Sequence, residues 1–386
     1  MDTRPFRIEV PDDQLNELRS RLRASRWPTP VMGASWDDGT DLALMKRLAN
    51  YWQDHFDWRK QEERLNRLPH YLATIDGAQI HFVHQPGNGP APLPLVITHG
   101  WPGSFAEMEQ IIPLLADPGA HGGDPADAFH VVVPSLPGYG FSPPPTVPGV
   151  STRRIAELWR KLMESLGYPR FAAQGGDIGA GVSVWLARLF PKTLVGAHLN
   201  FIPGSYRPAL GAQIPPITGE EQAYLDGVAA WTAAEGAYAH LHGTKPQTLA
   251  YALTDSPVGL AAWIVEKFRA WSDCDDDVER AFGFDALLTD ISLYWFGNAL
   301  NGSMRLYKEN RLAPLTFGAG ERVTPPLGVA LFPRELLLPP RSWVERVFNV
   351  VRWTAMPRGG HFAAMEQPKL LAEDIRAFFR PLRSMS

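Results

Sequence analysis

The stretch Phe171-Ala172-Ala173-Gln174-Gly175-Gly176-Asp177-Ile178-Gly179-Ala180-Gly181 decides how the rest of the chain is read. Small and apolar residues arrive as a strand and the glycines allow a sharp turn. Val182-Ser183-Val184-Trp185-Leu186-Ala187 then reads as a helix that starts at once. A G-x-S-x-G pattern lifts a nucleophile above the end of a parallel sheet, because glycine on either side removes the Cβ clashes of a strained turn. In this chain Asp177 stands where that pattern has its serine. A serine must lose a proton before it attacks, whereas a carboxylate is already ionised at neutral pH. Its charge also falls at the start of a helix, whose free N–H groups favour an anion. The competing reading is structural: Asp is a preferred N-cap, and strand–Gly–Asp–helix occurs without any chemistry.

Working outward, strands and helices alternate on both sides of this turn. Leu93-Pro94-Leu95-Val96-Ile97-Thr98 and Phe129-His130-Val131-Val132-Val133-Pro134 are apolar runs of the kind that lie buried in a parallel sheet. A helix is expected over 105–115 after the first run, and another over 151–166 before the elbow. Residues 194–200, 327–332 and 350–354 read as further strands, and 368–382 as a closing amphipathic helix. Asp76-Gly77 marks a hairpin between 70 and 84. This alternation is the signature of a doubly wound α/β sheet with helices on both faces. Two regions break it. Residues 1–68 read as helices over 12–22 and 41–58, whose Trp27, Trp36, Trp52 and Trp58 are expected to pack on the main domain. Residues 204–311 are rich in helix formers and aromatics, and read as a helical cap inserted into a core of 69–203 and 312–386.

Composition narrows the function classes. A net charge of -4 gives no sign of a nucleic-acid or anionic-membrane partner. The single cysteine, Cys274, excludes an intrachain disulfide and a cysteine-based zinc site, and suits a reducing interior. The first residues carry no apolar signal region, and no run approaches the roughly 20 apolar residues of a membrane span. A cytoplasmic protein is expected, and a homodimer is compatible with the chain.

Residues that do chemistry on such a sheet sit just past the carboxyl ends of its strands. Four loops qualify. His99-Gly100-Trp101-Pro102 falls where a backbone oxyanion donor is found, so the N–H groups of Trp101 and Ile178 are candidates for that role; the plain alternative is an ordinary Gly-Pro turn. The elbow is the second loop. The third, Pro333-Arg334-Glu335, carries a carboxylate that could hold an imidazole, though a loop Glu is more often solvated. The fourth is Arg358-Gly359-Gly360-His361-Phe362. The order Asp177, Glu335, His361 matches nucleophile, acid and base in hydrolases built on this sheet. Three candidates in the right order, each after an expected strand, weigh together against the structural readings of each alone.

On these residues the chain resembles the epoxide hydrolases of the α/β-hydrolase fold, in their microsomal-type branch. The resemblance is carried by Arg4-Pro5-Phe6, by residues 99–104 and the elbow, by Asp255-Ser256-Pro257-Val258-Gly259 through Trp263, by Arg305-Leu306-Tyr307-Lys308-Glu309, and by Arg358-Gly359-Gly360-His361-Phe362-Ala363-Ala364. It spans nearly the whole chain. It implies a nucleophilic Asp177, a general base His361 with Glu335 as its partner, and two cap tyrosines that bond the epoxide oxygen. Their motif positions point to Tyr238 and Tyr307. Ala237 stands where a glycine commonly precedes the first of these, so Tyr294 and Tyr251 stay open as alternatives. The implied substrate is a small apolar or aromatic epoxide, with no metal or organic cofactor, and the membrane anchor of animal members is not expected here. Two other readings of the same residues are a haloalkane dehalogenase, which also uses an Asp nucleophile, and a silent binding module. A serine-type esterase is disfavoured by the Asp at 177.

Overall fold

The computed structural model describes residues 3–211 and 215–385. One sheet of nine strands organises them, in the order β1-β2-β3-β5-β4-β6-β7-β8-β9. The strands are β1 (Thr3–Phe6), β2 (His70–Ile75), β3 (Ala78–Gln85), β4 (Leu93–Thr98), β5 (Phe129–Pro134), β6 (Phe171–Gly175), β7 (Leu194–Leu199), β8 (Val323–Leu331) and β9 (Phe348–Ala355). From β5 to β9 every pairing is parallel; β1, β2 and β3 add an antiparallel margin. All residues of β6 and β7 are buried, as expected where helices cover both faces. The arrangement is the mostly parallel α/β-hydrolase sheet expected from the sequence.

The N-terminal segment differs in two ways from its sequence reading. Arg4-Pro5-Phe6 forms the edge strand β1, where Pro5 costs no ladder hydrogen bond toward a neighbour. The helix expected over 41–58 is two. After α1 (Asp12–Arg23), α2 (Leu42–Asp54) starts under an Asp41 cap, and Asp57 caps a new helix, α3 (Trp58–Leu65). Trp52 and Trp58 are buried. The ring of Trp58 lies 4.9 Å from Phe296, a residue of the cap, and Trp36 faces Arg269, also of the cap. The segment therefore seals against the cap as well as against the sheet.

On the faces of the sheet, α4 (Ile111–Ala116) is shorter than the 105–115 helix expected. Pro113 has no N–H and fits only in a first turn, so residues 105–108 close as a separate 3₁₀ turn. The next two helices, α5 (Thr152–Ser165) and α6 (Asp177–Leu189), pack together on one face. The cap comprises α7 (Gly219–Glu235), α8 (Ala237–Thr244), α9 (Pro246–Asp255), α10 (Pro257–Trp271), α11 (Val278–Phe282), α12 (Phe284–Phe296) and α13 (Leu300–Leu312). Its helix α13 packs against α8 and α9. The chain then returns to the sheet through β8, α14 (Arg341–Glu345), β9 and α15 (Ala363–Glu366). It closes with α16 (Pro368–Phe379), which packs against α4 on the other face.

The elbow is where sheet and helix come closest. A methyl group on Gly179 would collide with the Thr98 carbonyl of β4, so the start of α6 can lie across the strand ends only with glycine there.

Candidate active site

The elbow backbone answers the structural reading of Asp177. Its φ is +47°, a conformation that side chains other than Asn, Asp and Gly rarely adopt. Gly176, not Asp177, occupies the N-cap position of α6, and no side chain caps that helix. The carboxylate is aimed elsewhere. Its Oδ1 accepts the Trp101 N–H at 2.8 Å, and its Oδ2 lies 3.4 Å from His361 Nε2. Strained backbone is retained where the surrounding structure holds it for a purpose.

The partners come from three other strand ends. Trp101 follows β4, and its bond to Pro102 is cis. Glu335 follows β8, and its Oε1 accepts both the Leu336 N–H at 2.8 Å and the His361 Nδ1–H at 2.6 Å. A carboxylate only accepts, so Nδ1 carries the proton and Nε2 is turned to Asp177. His361 follows β9 and is fixed by its N–H to the Trp271 carbonyl at 2.9 Å. Both His361 and Glu335 are buried. Burial alone works against a charged imidazole, but Glu335 and Asp177 outweigh it and hold His361 well above its ordinary value.

The cap covers this group with aromatic side chains. The rings of Tyr238 of α8 and Tyr307 of α13 lie 5.9 Å apart and nearly perpendicular. The Trp101 ring stacks on Tyr238 at 5.2 Å and meets Tyr307 edge-on at 6.0 Å. Burial, with the nearby Asp177 charge, raises both phenols, so both keep their protons at neutral pH. The two alternatives are placed otherwise. The Tyr294 hydroxyl donates to the Gly103 carbonyl at 2.8 Å, and Tyr251 is 74% exposed. The Ile178 N–H, the second oxyanion candidate, is not among the donors to the Asp177 side chain, which among the described residues accepts a backbone bond from Trp101.

Three groups around the site, His242, Glu107 and Asp290, went unread in the sequence, and Trp271 counted there only among the aromatics of the cap. His242 lies with its ring 4.8 Å from Trp101 and accepts the Trp263 indole N–H at 3.1 Å. Burial, then the charge of Lys267, lowers its imidazole to about 3, so it is neutral. Trp271 packs 5.2 Å from both Tyr238 and His361. Glu107 and Asp290 form an acidic pair beside Ser104. Burial pushes Asp290 up to about 7, and burial with the Asp290 charge pushes Glu107 well above the usual carboxylate range. The available signal was one acid inside each apolar run, Phe105-Ala106-Glu107-Met108 and Leu287-Leu288-Thr289-Asp290-Ile291. Among the described residues no group of three or more His, Cys, Asp and Glu side chains is arranged to hold a metal ion. Among them, too, no single helix is long and apolar enough to cross a membrane.

Chemically, this is a bare carboxylate on one side of an imidazole–carboxylate pair, with two protonated phenols above it. The carboxylate can attack carbon, the phenols can give a proton to a departing oxygen, and the imidazole can take one from water.

Comparison with known proteins gives the same direction. Residues 3–108 match the family described as "Epoxide hydrolase N terminus", and residues 94–275 match "alpha/beta hydrolase fold". "Epoxide hydrolase 1" of Oryctolagus cuniculus is 39% identical over 400 residues, covering 97% of this chain and 88% of that one. The structure of the Aspergillus niger epoxide hydrolase superposes with a TM-score of 0.84 at 31% identity, covering 99% of this chain and 97% of that chain. The crystal structure of juvenile hormone epoxide hydrolase from the silkworm Bombyx mori gives 0.84 at 29% identity, covering 100% and 95%.

Proposed function

The chain belongs to the epoxide hydrolase family and is an epoxide hydrolase; from that premise we propose that it opens its substrate through a covalent ester on Asp177. One observation carries the reading. The Asp177 carboxylate is held between the Trp101 N–H and His361 Nε2, rather than capping its helix.

In the first step Oδ1 stays with the Trp101 N–H and Oδ2 attacks a ring carbon. The ring C–O bond breaks, and Tyr238 or Tyr307 protonates the departing oxygen as its charge grows. In the second step His361, oriented by Glu335, takes a proton from water, which attacks the ester carbonyl carbon. The oxyanion forms on Oδ1, stabilised by the Trp101 N–H with Ile178 N–H as a further donor. The acyl–oxygen bond then breaks, the departing oxygen takes the proton from His361, the phenolate recovers its own from the new carboxyl group of Asp177, and a vicinal diol is released. We assign the substrate as a small apolar or aromatic epoxide, because the walls facing Asp177 are Trp101, Tyr238, Trp271 and Tyr307. A cytoplasmic setting is part of the same proposal, supported by the lone cysteine.

A single turnover in heavy-oxygen water with styrene oxide tests this. The first diol should carry light oxygen from the enzyme, and Asp177 should acquire the label. Label appearing in that first diol would mean that water attacks the ring directly.

A further inference from the structure

The second step needs a water that touches both His361 Nε2 and the Asp177 carbonyl carbon, at a moment when the esterified substrate fills the cap side. The structure holds a cavity on the other side of the nucleophile. Gly103, Glu107, Gln174, Asp177, Asn200 and His361 are among its lining residues, and none of its lining comes from the cap. Its volume is about 20 Å³, room for the centre of one water molecule, and a water settles only where two to four polar partners surround it.

Those partners are present. The Gln174 amide donates to Asn200 Oδ1 at 2.8 Å, which fixes one wall. Asp177 and His361 form another, and the Glu107 carboxyl closes the third. Glu107 reaches this place because residue 103 is glycine: any Cβ there would fall on a Glu107 carboxyl oxygen. The Glu107 backbone N–H in turn donates to the Ser104 carbonyl at 3.2 Å.

We propose that this cavity seats the water that hydrolyses the Asp177 ester, and that Glu107 is the positioning residue that holds it. The proposal rests on the covalent mechanism given above. The balance of the step is unchanged: His361 Nε2 takes the water proton, the hydroxide oxygen bonds to the Asp177 carbonyl carbon, and the diol oxygen leaves. Desolvation and the Asp290 charge hold the Glu107 carboxyl well above the usual carboxylate range, and in its protonated form it both donates to and accepts from the water without competing with His361 as base.

Single-turnover kinetics on the full chain with styrene oxide separate the two steps, with ester formation followed by quench and mass measurement. Glu107→Met keeps the volume and removes the hydrogen bonds; Glu107→Gln keeps both. Glu107→Met should slow ester hydrolysis roughly 10- to 100-fold, the usual cost of a misplaced reactant, while ester formation changes by less than about three-fold. Glu107→Gln should leave both steps within about five-fold of the parent. Unchanged hydrolysis in Glu107→Met overturns the proposal, as does a parallel fall of both steps in either variant, which marks a merely structural role. Absence of any ester in the parent enzyme would instead sink the covalent mechanism, so the two failures are told apart.

Discussion

Replacing Glu335 by Gln removes a charge from the site and almost nothing else. The Nδ1–Oε1 distance is 2.6 Å, and the two side chains are only 3% and 1% exposed, so solvent screens the contact little. The Leu336 N–H holds Oε1 in place at 2.8 Å, so the Gln carbonyl oxygen should stay there and still accept the His361 proton. What is lost is the charge that stabilises the imidazolium formed when His361 takes a proton from water. A hydrogen bond to a charged group is worth about 1.5–3 kcal/mol, and burial places this one toward the upper end. At about 1.4 kcal/mol per factor of ten, ester hydrolysis should slow by roughly 10- to 150-fold. Ester formation, which uses no proton from His361, should change by less than about three-fold. Rapid-quench single turnovers measure both rates. The variant should also lose part of its pH-dependent stability. His361 is held above its unfolded value, so its contribution is present in full below about pH 6.5 and fades as pH rises through the folded value. Melting curves of parent and Glu335→Gln should therefore differ more at pH 5.5 than at alkaline pH. If ester formation falls as far as hydrolysis, Glu335 acts on the shape of the elbow rather than on the imidazole, and the assignment of its role is wrong.

Two further outcomes follow from the same geometry. Tyr238→Phe and Tyr307→Phe should each slow ester formation, by roughly 10- to 1000-fold for loss of one donor to a developing alkoxide, and leave hydrolysis of the formed ester within a few-fold. Because the two rings are in contact, the double variant should depart from the product of the single effects, which the same single-turnover assay reads. With pH, hydrolysis of the formed ester should rise as His361 loses its proton and then level off, whereas ester formation should show no loss across that range, since both phenols are held above their ordinary values. Ester that accumulates at alkaline rather than acid pH would contradict His361 as the base.

Much of this was legible because parallel strands buried on both faces read as unbroken apolar runs. The β4, β5, β6 and β7 runs, and the residues Trp101, Asp177, Glu335 and His361 just beyond strand ends, were all readable in that way. What was not legible depends on local caps and on contacts distant in sequence. The break before α3 hangs on Asp57 capping a new helix rather than continuing the old one. The short α4 hangs on Pro113. The packing of Trp58 on Phe296 joins residues 238 positions apart, which no periodicity reports. Glu107 and Asp290 looked like isolated acids in apolar runs, and only the approach of α12 to the loop after β4 makes them a pair. Motif position pointed to Tyr238 with Tyr294 and Tyr251 as alternatives, and pattern alone could not report that Tyr251 is 74% exposed.

The order of the two proposed steps is built into the charges. Before reaction, His361 faces two carboxylates, and both raise it against the cost of burial. An imidazole held protonated is no base, so water beside it is not activated while Asp177 is free. Esterification removes the Asp177 charge. One of the two causes that hold the proton on His361 then disappears, while burial keeps acting in the opposite direction. Glu335 alone remains to orient Nδ1 and to stabilise the imidazolium in the transition state. The same event that creates the ester thus readies the group that destroys it. A single buried histidine between two acids on opposite ring nitrogens can do this; with Glu335 alone nothing would tie its proton to the state of the nucleophile, and with Asp177 alone it would lack the partner that fixes its tautomer.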